Sequence, residues 1–110
     1  MPSVLITTRE GWIGDAAPLF DDVQAALTAS IGAPPEATAF KLAELPAANL
    51  RPRAGMGDRF VEVQIAMMAG RTPELKQALF AAVKAPLVAR GAPEADIKIT
   101  LLEAARENWS

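Results

Sequence analysis

Phe60-Val61-Glu62-Val63-Gln64-Ile65-Ala66-Met67-Met68-Ala69-Gly70-Arg71-Thr72-Pro73 is the stretch from which the architecture can be read. Val61, Val63, Ile65 and Met67 alternate with Glu62, Gln64, Ala66 and Met68, the period of a strand with one face in the core. Gly70 marks its exit. Thr72 followed by Pro73 reads as a helix N-cap with proline at the first helical position. Leu75, Leu79, Ala82 and Val83 carry the helix on, Gly91-Ala92-Pro93 stops it, and Ile97–Leu102 supplies a second strand. Pro86 falls inside this helix, where a proline removes a hydrogen bond at about 3 kcal/mol, so a kink or local break is expected there.

Sliding the chain over itself by 59 positions reproduces the pattern. Val4 meets Val63, Ile6 meets Ile65, Gly11 meets Gly70 and Ala26 meets Ala85. Gly32-Ala33-Pro34 meets Gly91-Ala92-Pro93, and Leu42, Glu44 and Asn49 meet Leu101, Glu103 and Asn108. The identities sit at strand ends and turn points, the mark of a duplication. The first half accordingly reads as a strand over Pro2–Thr8, a helix capped by Asp15 with Leu19, Val23, Leu27 and Ile31 on one face, and a strand over Ala39–Leu45. The expected organisation is one domain, 1–110, with repeats 1–51 and 60–110 joined by a 52–59 connection, since neither half could bury an adequate core alone.

A strand–helix–strand unit pairs its strands in parallel. Two such units give an α/β (α+β) fold: a four-stranded sheet with both helices on one face. Strands such as Val61–Met67 and Ile97–Leu102 read as nearly apolar on both sides, so a partner copy is expected to cover the other face.

Composition narrows the chemistry. With 110 residues, 51% hydrophobic and 22% charged, the chain has the make-up of a globular domain. A formal charge of −2 lacks the basic footprint of nucleic-acid binders. No apolar run approaches a membrane span and no signal-like segment opens the chain, so a cytoplasmic location is the expectation. There is no Cys, no His and no Tyr. Disulfides, thiolate nucleophiles and the usual zinc sites are excluded, leaving acid–base work to carboxylates, lysines or a chain terminus. Pro2 directly follows Met1. If Met1 is removed, Pro2 becomes a secondary amine anchored at a strand start, a proton acceptor that no internal residue can supply. An α-amino group titrates near about 8, and desolvation and neighbouring cations lower that.

The order and spacing of Pro2, Gly11, Gly32-Ala33-Pro34 and Glu44, then Val63-Gln64-Ile65, Gly70-Arg71-Thr72-Pro73, Lys76, Gly91-Ala92-Pro93 and Glu107-Asn108-Trp109, resemble the tautomerase superfamily. The likeness is to its fused-repeat members related to 4-oxalocrotonate tautomerase and to macrophage migration inhibitory factor. The resemblance implies β-α-β blocks fused in pairs and assembled as a trimer. It also implies a cofactor-independent, metal-free enzyme whose amino-terminal proline, here Pro2, acts as general base or acid on a small enol or α-keto acid.

The resemblance makes Arg71 the substrate-carboxylate anchor. Its first-repeat counterpart is Trp12, and the counterpart of Pro2 is Val61. A second family arginine falls at Ala39 in one repeat and at Lys98 in the other; lysine keeps the charge and loses the bidentate fork. Lys98 alternates outward between Ile97 and Ile99, so a solvated strand face competes with substrate binding. Trp109 and Trp12 are candidate pocket walls, with packing as the competing role. Arg51 and Arg53 flank Pro52 in the connection, and Glu44 and Glu103 read as structural. Dehalogenase-like and decarboxylase relatives carry a second arginine where this chain has Met68, which counts against those chemistries. Three alternatives stay open: an isomerase, hydratase/dehalogenase/decarboxylase chemistry on the same scaffold, and a non-catalytic oligomeric binding protein with a vestigial site.

Overall fold

A computed structural model describes residues 2–110; Met1, whose removal would free the Pro2 nitrogen, lies outside the described residues. Six main elements follow in order: β1 (Ser3–Arg9), α1 (Ala16–Ile31), β2 (Ala39–Leu45), β3 (Val61–Met68), α2 (Pro73–Ala89) and β4 (Ile97–Ala104). Single 3-10 turns precede and follow β2 and β4, at Pro35–Ala37, Ala47–Asn49, Glu94–Asp96 and Arg106–Asn108.

The sheet has the order β2-β1-β3-β4. β1 pairs in parallel with β2, and β3 in parallel with β4, as single crossovers through α1 and α2 require. The centre is the antiparallel pair β1–β3, with Val4 opposite Ile65, Leu5 opposite Gln64 and Ile6 opposite Val63. The 59-residue offset exchanges Val4 with Val63 and Ile6 with Ile65, so this register maps onto itself about the Leu5–Gln64 pair. The start of each central strand therefore lies beside the end of the other.

Alternation decides which side chains enter the core. Val4, Ile6, Val61, Val63, Ile65, Met67 and Ile97 are buried beneath Leu19, Val23 and Leu27 of α1 and Leu79, Val83 and Leu87 of α2. Full burial of such a side chain is worth about 1.5–3 kcal/mol each. Phe20 of α1 stacks on Phe40 of β2 with ring centroids 5.3 Å apart, closing the β2 edge of the core. Lys76 Nζ meets Glu103 Oε1 at 2.7 Å and ties α2 to β4, so Glu103 has the structural role its position suggested.

Helix boundaries follow their capping chemistry. Thr72 Oγ1 accepts a hydrogen bond from the Leu75 amide at 3.2 Å, and Pro73 opens α2. Asp15 occupies the N-cap of α1 without a side-chain cap bond, and Gly32 (φ 70°) ends that helix in the left-handed region. The break expected at Pro86 does not occur: α2 continues to Ala89. Arg90 Nη1 donates to the Pro86 carbonyl at 2.9 Å, satisfying an acceptor in the last turn of α2.

The open sheet face also differs from expectation. Along β3 it carries Glu62, Gln64, Ala66 and Met68, all half-buried, and along β4 it carries Lys98, Thr100, Leu102 and Ala104. It is a mixed surface rather than a second apolar one. Leu102, 49% exposed, is its most prominent large hydrophobic. Among the described residues no helix is long and apolar enough to cross a membrane.

Candidate active site

The strand register places the candidate residues. Ser3 lies opposite Ala66, so Pro2 abuts the last residues of β3, from which Ala69-Gly70-Arg71 emerges. Pro2 is buried, and its carbonyl accepts a hydrogen bond from the Ala39 amide at 3.2 Å, fixing the start of β1 to the start of β2. Gly70 has φ +126°, a backbone region that residues with a Cβ rarely adopt, and it turns the chain sharply from β3 into α2. Arg71 then folds back over the strand end: its Nη1 donates to the Met68 carbonyl at 3.3 Å. Arg71 is half-buried, and among the described residues it has no carboxylate partner. An unpaired guanidinium beside the first turn of a helix is electrostatically disfavoured unless an anion joins it.

Trp109 belongs to the same end of the molecule. Met68 pairs with Ala104, and the Ala69 amide donates to the Ala104 carbonyl at 3.0 Å. The short turn Arg106–Asn108 carries the chain on to the half-buried Trp109, whose amide donates to the Arg106 carbonyl at 3.2 Å.

Lys98 and Trp12 lie elsewhere within the chain. Lys98 is opposite Glu62, which is itself opposite Thr7, so it sits five residues along the sheet from Pro2 and two strands across. That is about 17 Å along the strand direction alone, beyond what a four-carbon stem can span. Trp12 follows the far end of β1. Its Nε1 donates to Thr8 Oγ1 at 3.1 Å, and Thr8 Oγ1 donates to the Phe60 carbonyl at 2.6 Å. The Arg59 guanidinium covers the indole, 5.4 Å from its centroid. A single chain thus gathers Pro2, Arg71 and Trp109 at one end, with Lys98 and Trp12 at the other.

Two features of that other end went unnoticed in the sequence. Arg9 Nη1 meets Asp58 Oδ1 at 2.7 Å, and Arg59 Nη1 donates to the Arg90 carbonyl at 3.3 Å. Arg59 lies over Gly91, whose φ of +105° calls for glycine at the end of α2. Neither pair repeats between the halves, so the 59-residue offset gave no signal for them. Among the described residues no three acidic side chains converge in a way that could hold a metal ion.

A family model described as "Tautomerase enzyme" matches residues 52–110, more than half of the chain. The chain belongs to this tautomerase family. No curated protein matches it in sequence. Solved structures do: native fused 4-OT is 26% identical with a TM-score of 0.89, over 98% of this chain and 91% of that one. A wild-type fused 4-OT symmetric trimer is 27% identical with a TM-score of 0.82, over 94% and 86%. FG41 malonate semialdehyde decarboxylase inhibited by 3-bromopropiolate is 26% identical with a TM-score of 0.78, over 100% and 87%.

Proposed function

We propose that this chain is a cofactor-independent tautomerase that moves a proton between the enol and keto forms of a small carboxylate-bearing substrate. The observation that carries the reading is the meeting of Pro2 with the Gly70-Arg71 turn across the β1–β3 pair. In this scheme the free secondary amine of Pro2 takes the proton from the enol hydroxyl and returns one to the adjacent carbon. Arg71, without a carboxylate partner among the described residues, binds the substrate carboxylate and holds the reacting carbon against the amine. Half-burial of Arg71 supports the idea, because a partly dry site strengthens the ion pair with a substrate carboxylate.

Lys98 enters this scheme from a neighbouring chain. It lies too far from Pro2 of its own chain, and the mixed open sheet face suits a wet, head-to-tail contact that closes into a ring of copies. The fused 4-OT relative solved as a symmetric trimer supports the same assembly here. A lysine supplied in trans would polarise the substrate carbonyl or meet a second anionic group. The likeness to malonate semialdehyde decarboxylase keeps decarboxylation as the second reading. Met68, rather than an arginine, at the end of β3 weighs against it.

The deciding experiment is phenylenolpyruvate ketonisation by protein whose amino terminus is Pro2, set beside protein with one residue inserted ahead of Pro2. Insertion turns the amine into an amide and is expected to remove base catalysis. Equal rates from the two forms would show that Pro2 is not the base, and inactivity of both would favour a vestigial site.

A further inference from the structure

The end of the molecule opposite Pro2 holds two adjoining hollows that share the Arg9–Asp58 pair as a common wall. One, of about 200 Å³, is lined by Ala47, Leu50, Pro52, Met56 and Gly57 as well as that pair. The other, of about 230 Å³, lies against Glu10, Gly11, Trp12 and Arg59. Together they reach the size of a small-molecule site, with Leu50, Pro52 and Met56 as the apolar wall of the first hollow and Trp12 and Arg59 as the aromatic and cationic wall of the second.

Charge around them is lopsided. Arg9 and Arg59 line the hollows, and Arg51 and Arg53 flank the lining Pro52, exposed and without an ion pair among the described residues. Against these four cations stand Glu10 and Asp58 at the hollows, with Asp96 buried behind Gly57 and occupied by its amide. Asp58 holds Arg9 loosely, since its side chain is 86% exposed and that of Arg9 is 38% exposed. Exposed pairs of this kind contribute little and yield to a competing carboxylate.

The connection that forms the roof is held in place rather than loose. The Gly57 amide donates to Oδ2 of the buried Asp96 at 3.0 Å, and the Met56 amide to the Arg53 carbonyl at 3.1 Å. A pre-shaped hollow loses less ordering entropy when a ligand enters.

We infer that this end is a second, non-catalytic binding site for a small organic carboxylate with an apolar body. The ligand carboxylate displaces Asp58 from Arg9, and its body lies against Leu50, Pro52 and Met56, with Trp12 and Arg59 at the rim. No proton transfer takes place there, because Val61 stands at the start of β3 where Pro2 stands at the start of β1. The site uses neither Pro2 nor Arg71, although it shares its end of the chain with Lys98, and it gives the arginines of the connection a use that the tautomerase reading leaves unfilled.

The test uses Trp12 as reporter. The chain has two tryptophans, so Trp109→Phe leaves Trp12 as the sole one. Titration of this protein with 3-phenylpropionate should produce a saturable change in Trp12 emission. Asp58→Asn should tighten binding about three- to fivefold by removing the competing carboxylate. Arg9→Ala should weaken it about tenfold or more, and Arg71→Ala should leave it unchanged. Because Asp58→Asn is a gain, it remains decisive even if Arg9→Ala unfolds. A flat titration of the Asp58→Asn protein up to the probe's solubility limit would overturn the inference. So would equal saturation by 3-phenylpropylamine, or loss of the response in Arg71→Ala.

Discussion

Replacing Arg71 with alanine separates catalysis from folding, because the side chain does little for the fold of the single chain. Its side-chain hydrogen bond is a 3.3 Å contact with the Met68 carbonyl, it forms no ion pair among the described residues, and it is half exposed to water. Losing such a contact costs about 0.5 kcal/mol or less, which shifts Tm by about 2–4 °C at most. Losing a charge-assisted bond to a substrate carboxylate costs about 1.5–3 kcal/mol, or about 10- to 150-fold in kcat/KM. The assay is phenylenolpyruvate ketonisation followed by absorbance, with Tm measured on the same samples and Arg51→Ala as the charge-matched control. Arg51 lies in the exposed connection at the other end, so its removal should change the rate by less than about twofold. The reasoning fails if Arg71→Ala loses activity only in proportion to its loss of folded protein. It fails equally if Arg51→Ala matches or exceeds the effect.

The fold and the assembly set three further outcomes. Pro86→Ala restores the amide that should bond the Ala82 carbonyl within an unbroken α2, and should raise stability by about 1–2 kcal/mol, read as a higher Tm or denaturant midpoint; a lower Tm would mean that the ring's packing outweighs the missing bond. Light scattering should give a mass near three chains, and mixing inactive Lys98→Ala with inactive N-terminally extended protein should recover partial activity as mixed trimers pair an intact Pro2 with a neighbour's intact Lys98. A monomer, or no recovery on mixing, would remove Lys98 from the site.

Sequence alone determined the elements, their order along the chain and the parallel pairing inside each repeat, because each depends on short-range chemistry. Alternation along Val61–Met68 set the buried face of β3, Thr72-Pro73 set the start of α2, and Gly32 set the end of α1. The 59-residue offset and the crossover rule then left little freedom for the sheet. Pro86 does not break α2 because the buried Val83 and Leu87 on either side of it anchor the helix to the core, which outweighs the local propensity. The apolarity of the open face was overstated because Glu62, Gln64, Lys98 and Thr100 interrupt it.

The grouping of the candidate residues was beyond the sequence. Pro2 and Arg71 are 69 positions apart, and only the antiparallel β1–β3 register sets the start of one strand beside the end of the other. The same register sends Trp12 and Lys98 of the same chain to the far end, which no periodicity in the sequence indicates. Arg9–Asp58 and Arg59–Trp12 were equally invisible, since they join the connection to strand and turn residues that share no periodic pattern with it. Periodicity reports which face of an element a side chain occupies; which ends of different elements meet is fixed by long-range pairing, and that the tertiary structure alone decides.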